Sequence, residues 1–500
     1  MVPSHATPHP IAKGYQSSFS RAYAATATDP SSNGWLLDSG ATHHVTHDLE
    51  NLALHSLYDD PTLESHGITH LTSPPHTPEH NGYSECRHRH IVETAIKSSI
   101  WRDAMQTEYD ALLKNKTWDL VPSSPSQNLI GCKWIFRTKY NPDGSIARHK
   151  ARLVTKGFHQ RPDLDYTESF SPVVKPAIVR IVLSLAIIYG WSLRQIDINN
   201  AFLQGSLMED VFIVQPPGFI SQSHPAHVCK LHQALYGLKQ APRAWYNELK
   251  SYLLTLGFKN FISDTSLFVL HNTQGLIYLL VYVDDIIITG SNSSFLSTFI
   301  SQFSSRFPLK DLGNLFYFLS VEVLPHPQGL FLSQHKYLQD LLTRAHMSNA
   351  KPVPTPMVMH PPLSTQTGAP LANPTEYRAL VGSLQYLSLT RLDISFAVNR
   401  LSQYMHKPTE DHWAALKRLL HYLAGTTSHG LLLRQDSPTT LHAFTDADWA
   451  AEYRAVAATT AEVLWVQNLL RELGYLPTNK PVIYCDNMGA TYVAANPKFH

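Results

Sequence analysis

The sequence predicts an α+β fold, and three kinds of stretch predict it. Leu276-Ile-Tyr-Leu-Leu-Val-Tyr-Val-Asp284-Asp285-Ile-Ile-Ile-Thr-Gly290 sets β-branched and aromatic residues on both sides of two adjacent carboxylates, which reads as two strands joined by a two-residue turn. Gly131 to Lys156 reads as a second hairpin, turning at Asn141-Pro-Asp-Gly144. Apolar or amphipathic helical stretches accompany them, from Ile178 to Tyr189 and from the loop at Gly237–Pro242 to about Leu256.

Composition sets the outer bounds. A length of 500 residues suggests about three domains. With 43% hydrophobic and 16% charged residues the chain can build a large core, which excludes global disorder. The net charge is +1, so a polyanion would have to be met by a local basic patch. Cys86, Cys132, Cys229 and Cys485 are far apart in sequence, which argues against a zinc ribbon or disulfide framework and for a reducing compartment. Met1-Val-Pro-Ser-His lacks the pattern of a signal peptide, and the longest apolar run falls short of the ~18 residues a membrane span needs, so no secretion and no membrane partner are expected.

Taken in order, residues 1–34 are rich in Ser, Thr, Ala, Pro and His and read as linker. Trp35-Leu-Leu-Asp38-Ser-Gly40 is a short apolar strand ending in a turn; an aspartic protease would need a second Asp to share a proton with Asp38. His76 to His90 passes into a basic helical segment whose histidines lack metal-ligand spacing. Trp101 to Trp118 has helical periodicity, with Met105, Tyr109, Leu112 and Leu113 on one side. Gly131 to Lys156 then carries seven Lys and Arg against a single acid, Asp143. The basic residues alternate with apolar ones, so several share one face of the ribbon, which suits a triphosphate or a nucleic-acid backbone. Ser192 to Ile198 reads as a strand with Asp197 inside it, turning into a helix through Asn199-Asn-Ala-Phe202.

Two carboxylates side by side on an apolar hairpin repel each other, and are tolerated only when solvated, protonated or bound to a cation. Asp accepts the positive φ of a tight turn, so Asp284-Asp285 is expected at the turn itself. Alone, that stretch leaves a plain solvent-facing turn open. Asp197 adds a third carboxylate in an apolar strand, and a hard divalent cation such as Mg²⁺, which prefers oxygen ligands, is the natural way to join the three.

Three motifs then carry a resemblance: Arg194-Gln-Ile-Asp197-Ile-Asn-Asn-Ala-Phe202-Leu, Leu235-Tyr-Gly-Leu-Lys-Gln-Ala-Pro-Arg-Ala-Trp245 and Val281-Tyr-Val-Asp284-Asp285. With Gly382-Ser-Leu-Gln-Tyr-Leu387 and His412-Trp-Ala-Ala-Leu-Lys-Arg418, they resemble the reverse transcriptase of copia-type long-terminal-repeat retrotransposon Pol polyproteins, with a plant element expected. The similarity covers most of residues 101–500. It implies a right-hand polymerase of palm, fingers and thumb at 101–345, a connection region at 346–440 and ribonuclease H-like α/β sequence at 441–500. The implied activity is RNA-directed DNA polymerisation, with RNA template, DNA primer–template duplex and deoxynucleoside triphosphates as partners. Asp197, Asp284 and Asp285 would hold two Mg²⁺, with Mn²⁺ able to substitute. Lys139 and Arg152 are the implied triphosphate contacts, Lys150 being nearly as good by spacing. Lys239, Gln240, Ala241 and Pro242 would lie near the template and the incoming nucleotide. Phe202 is expected to be a sugar gate, with a core aromatic as the alternative. The family works in the cytoplasm, within a virus-like particle, or in the nucleus.

The same resemblance reads the flanks as damaged. Residues 35–60 look like the start of an aspartic protease and 65–95 like the end of an integrase core, where Glu85 matches the third carboxylate of a three-carboxylate site. The rest of the protease and both integrase aspartates have no counterpart, so the chain reads as internally deleted. Asp446, Glu452 and Asp486 match ribonuclease H catalytic positions, yet the segment the family carries between Ala450 and Ala451 is missing. Protease, integrase and ribonuclease H activities are therefore expected to be lost. The alternative for the whole chain is an inactive nucleic-acid-binding remnant.

Overall fold

The computed structural model describes residues 94–140, 143, 145–358, 360–365, 367–437, 440–445, 452–475 and 479–485. They fall into two compact units, one of residues up to Asp340 with Ser428–Ser437, the other of Leu341–Thr427 with the segment after Pro438. Asp38, Glu85, Asp446 and Asp486 lie outside the described residues, and of Glu452 only its helical backbone is described.

The first unit opens with helix α1 (Ser99–Lys114), which buries Met105, Glu108 and Leu112. Helical periodicity suggested a run to Trp118, but Lys116 turns left-handed at φ 49. The Thr117 amide and hydroxyl then both return to the Leu112 carbonyl, at 3.1 and 2.7 Å, and end the helix. Strands β1 (Trp118–Pro122) and β2 (Leu129–Ile130) follow. Next come β3 (Cys132–Tyr140) and β4 (Ile146–Thr155), an antiparallel two-stranded ribbon. Its register pairs Ile135 with Arg152, Arg137 with Lys150 and Lys139 with Arg148, so five cations share one face, as the alternation predicts. Trp134, Phe136, Ala151 and Leu153 line the other face and are buried against Met105 and Leu112 of α1.

Helix α2 (Pro176–Ile188) leads to β5 (Ser192–Ile198), the strand of Asp197. No α-helix follows. Asn200 is left-handed at φ 52, Ala201–Gln204 make one 3₁₀ turn, and the chain enters β6 (Ser206–Ile213). Gly205 ends the turn against the next helix: a Cβ there would lie 2.5 Å from the Trp245 backbone nitrogen. After β7 (His227–Gln233), which lies between β1 and β6, helix α3 (Ala241–Thr255) begins with Pro242 in its first turn.

Strands β8 (Lys259–Asn260), β9 (Leu267–Asn272), β10 (Gly275–Tyr282) and β11 (Asp285–Gly290), helix α4 (Ser293–Arg306) and β12 (Leu309–Asn314) complete a six-stranded sheet in the order β12-β5-β11-β10-β9-β8. Ile196 and Ile198 of β5, Val281 of β10 and Ile286 and Ile288 of β11 share one core with Trp245, Leu249 and Leu253 of α3 and Phe299 and Phe303 of α4. Alternation sends Gln195, Asp197, Asp285 and Ile287 to the opposite face. Strands β13 (Tyr317–Phe318), β14 (Val321–His326) and β15 (Gly329–Ser333) and helix α5 (His335–Arg344) follow.

In the second unit, helices α6 (Pro374–Leu387), α7 (Ser395–Ser402) and α8 (Glu410–Gly425) pack together, and Arg391, between α6 and α7 in sequence and 2% exposed, pairs bidentately with Asp393 at 2.9 and 2.8 Å. The chain then lends β16 (Leu431–Arg434) to the first unit, where it extends the β13-β14-β15 sheet. Strand β17 (His442–Thr445), helix α9 (Glu452–Glu472) and β18 (Val482–Cys485) close the described chain; β17 and β18 are parallel, with Thr445 opposite Cys485. No helix among the described residues is long and apolar enough to cross a membrane.

Candidate active site

Strand β11 lies between β10 and β5. The register sets Asp285 directly across from Asp197, and Ile286 across from Ile196. Asp284 precedes Asp285 in the β10–β11 turn, so carboxylates from two distant stretches meet at one end of the central strands. The turn itself corrects the sequence expectation. Tyr282 pairs with Asp285, so Val283 and Asp284 make the turn and Asp285 already belongs to β11. The left-handed residue is Val283, at φ 55, rather than an aspartate. A β-branched residue in that region is an outlier that its surroundings must hold in place. The indole Nε1–H of Trp245 donates to the Val283 carbonyl at 2.7 Å. The Ile198 amide donates to the Asp284 carbonyl at 2.9 Å.

Burial and like charge dominate the electrostatics of the carboxylates. Burial pushes the Asp284 carboxyl above its ordinary range; Asp197 adds to the shift, and Arg152 and Lys150 oppose it. Asp285 is pushed up to about 6, by burial first and then by the Asp284 charge, against a hydrogen bond donated by Gln195 Nε2 at 3.4 Å. A bound cation would offset both causes. Among the described residues no three His, Cys, Asp or Glu side chains converge as a ready-made cage. Mg²⁺ does not need one, since it is usually held through one or two carboxylates, with water and substrate phosphates completing its shell. The donor set here, carboxylate oxygens alone, fits Mg²⁺ and Mn²⁺.

The basic ribbon faces the carboxylates. Lys139 feels the Asp197 charge, and Arg152 and Lys150 act on Asp284. Lys139 and Lys150 are held below the usual lysine value, by burial first and then by neighbouring guanidinium groups. Arg152 lies 5.1 Å from the Tyr236 ring centroid, and its Nε is buried with no hydrogen-bond partner. Phe202 meets Tyr236 edge to face at 5.0 Å and packs against both apolar cores of the unit. The remaining predicted contacts are largely engaged by the protein. Gln240 is 2% exposed; it donates to the Asp165 carbonyl and accepts from Gln160, each at 2.8 Å. The Lys239 ammonium reaches the Tyr166 hydroxyl at 3.1 Å. Ala241 is buried and Pro242 half-buried.

Comparison with known proteins decides the family. Residues 115–359, which hold the three aspartates and the ribbon, match the model for reverse transcriptase (RNA-dependent DNA polymerase). A retrovirus-related Pol polyprotein from transposon RE1 of Arabidopsis thaliana is 53% identical over 444 residues, which is 81% of this chain and 30% of that protein. A putative transposon Ty5-1 protein of Saccharomyces cerevisiae is 30% identical over 51% of this chain and 83% of its own length. The chain belongs to the copia-type reverse transcriptases. A second plant member, the Pol polyprotein from transposon TNT 1-94 of Nicotiana tabacum, is 36% identical over 79% of this chain and 33% of its own. This reverse transcriptase chain thus spans about a third of the plant Pol polyproteins it matches.

Four residues of the reverse transcriptase unit escaped the sequence reading. Lys310, on edge strand β12, is the register partner of Asp197 on the side away from Asp285. Its signal was a lone cation in a short strand beside the strand of Asp197, legible only once the sheet order is known. Glu108 sits in the buried stripe of α1 beside Lys150 and Arg152, its carboxyl pushed up by burial; an acid at the Met105 and Leu112 spacing was a visible signal. Tyr236 and Trp245 lie inside a quoted motif, but a ring under a guanidinium and an indole bond to a carbonyl have no sequence signature.

Proposed function

We propose that this chain is an RNA-directed DNA polymerase that extends a DNA primer with deoxynucleotides, using a palm built on β5, β10 and β11. The observation that carries the reading is the pairing of Asp285 with Asp197 beside the Asp284 turn, opposite a ribbon with five cations on one face. Asp197 and Asp284 would hold two Mg²⁺ ions, and Asp285 completes the carboxylate cluster. Bound there, the ions supply Lewis-acid activation of the primer 3′-hydroxyl and neutralise charge on the triphosphate and its leaving pyrophosphate.

The chain's own residues do the rest. Arg152, with Lys139 or Lys150, meets the triphosphate, which relieves the mutual repulsion of these cations. Tyr236 backs the Arg152 guanidinium and fixes its direction. Phe202, edge-on to Tyr236, lies five positions after Asp197, where the ribose of the nucleotide would sit, and a bulky ring there disfavours a 2′-hydroxyl. The fingers would be the ribbon with α1. The protease-like, integrase-like and ribonuclease H-like stretches are proposed to be inert, because each lacks sequence its chemistry needs.

Primer extension by purified protein on an RNA template tests the reading. Extension that needs Mg²⁺ or Mn²⁺ and disappears in Asp197→Asn and Asp284→Asn supports it. A folded, monodisperse protein that binds primer–template but extends nothing would make it a nucleic-acid-binding remnant instead.

A further inference from the structure

The catalytic turn contains a conformation its own sequence does not favour. Val283 is β-branched and left-handed, at φ 55. Glycine or asparagine would adopt that region readily; valine does so only under constraint. The constraint comes from outside the hairpin. Trp245, one turn into α3, is 1% exposed, and its Nε1–H donates to the Val283 carbonyl at 2.7 Å. The indole is itself wedged, edge to face at 5.3 Å, against the fully buried Phe307. Its helix sits tight against the loop that follows Phe202, because residue 205 has no Cβ. On its other side the turn is tied to β5 through the Ile198 amide. The turn between Asp197 and the apolar core is thus gripped at two successive carbonyls, once by the strand and once by the indole.

We propose that Trp245 is a positioning residue for metal binding: its indole N–H pins the strained Val283 carbonyl and so presents Asp284 and Asp285 beside Asp197. The inference rests on the polymerase reading above and adds to it the device that fixes the carboxylates. If the pin is removed while valine stays, the turn relaxes toward a right-handed conformation and rotates Asp284 away from Asp197. If the strain is removed too, the pin is no longer needed.

That reciprocity gives the test. Mn²⁺ binding is measured by electron paramagnetic resonance on wild type, Trp245→Phe, Val283→Gly, the double variant and Asp284→Asn, with melting temperature and primer extension in parallel. Phenylalanine keeps a six-membered aromatic ring and loses the donor together with the five-membered ring that carries it. Trp245→Phe is expected to weaken Mn²⁺ binding about ten-fold, consistent with loss of one buried hydrogen bond, and to lower kcat with KM for the deoxynucleotide within about two-fold. Adding Val283→Gly is expected to restore most of the Mn²⁺ affinity. Equal affinity in Trp245→Phe and wild type, where Asp284→Asn abolishes binding, overturns the positioning role and leaves the polymerase reading intact. A double variant no better than Trp245→Phe, or neither variant folding, makes Trp245 a core residue only. Wild type without Asp284-dependent Mn²⁺ binding overturns both.

Discussion

The two hairpins that face each other across the candidate site are built in opposite ways. The acidic one, β10–β11, lies inside a six-stranded sheet, with β9 and β5 as neighbours and two helices over one face. The basic one, β3–β4, is a two-stranded ribbon with no further strand on either edge among the described residues; its apolar face is covered, and its cationic face is half-buried at Lys150 and Arg152 and exposed at Arg137, Lys139 and Arg148. Carboxylates that bind cations must be fixed, because their mutual repulsion drives them apart whenever the metal leaves. Long cationic side chains that meet a triphosphate need reach more than rigidity, and a ribbon provides it.

The comparison predicts different failures on the two sides. On the rigid side, Asp197→Asn or Asp284→Asn is expected to lower kcat by about 10²-fold or more, with the melting temperature kept, because fixed charge is removed where transition-state charge develops. Single-turnover incorporation checks this, and a loss confined to KM would contradict it. On the ribbon side, Arg152→Ala is expected to raise KM for the deoxynucleotide roughly ten-fold or more, since a hydrogen bond to a charged group is worth about 1.5–3 kcal/mol, while kcat falls less. Steady-state kinetics with Lys139→Ala and Lys150→Ala beside it would rank the two lysines.

Phe202 packs against both cores, so it sharpens the comparison from between the two sides. Phe202→Val is expected to admit ribonucleotides while keeping most deoxynucleotide incorporation; a parallel loss of both, with a lowered melting temperature, would make the ring a packing residue. The smallest effect concerns the carboxylate cluster when metal is chelated away. Asp285 has its carboxyl raised to about 6 from an ordinary 3.8, so the folded chain holds that proton more tightly than the unfolded one. Its contribution is therefore favourable below the ordinary value and is lost as pH rises through about 6. In EDTA at ~pH 8, Asp285→Asn should melt a few degrees above wild type, and the gap should close as the pH falls toward ~4. A gap that widens on acidification would reverse the assigned cause.

How much of this was legible differs between the same two regions. The ribbon was readable to its basic face, because Arg137, Lys139, Arg148, Lys150 and Arg152 are spaced evenly around an unmistakable turn. The acidic hairpin was readable as strands and as carboxylates, but not in its turn. A turn at Asp284-Asp285 and one at Val283-Asp284 both leave Val281, Leu279, Ile286 and Ile288 on the same face, so apolar alternation cannot choose between them. What accompanies the observed register is pairing with β5 and the bond from Trp245, contacts from residues 38 to 98 positions away. The helix expected after Asp197 failed for a similar reason: a left-handed Asn200 and the approach of α3 at Gly205 are tertiary facts.

The central claim is that the two hairpins make one site, and linkage tests it most directly. Mn²⁺ affinity is measured with and without a saturating deoxynucleotide, and deoxynucleotide affinity with and without saturating Mn²⁺, on the same protein. One shared site requires each ligand to tighten the other by the same factor, and Arg152→Ala and Asp197→Asn should each reduce it. Mn²⁺ and deoxynucleotide binding independently, with unchanged affinities in all four titrations, would contradict the account.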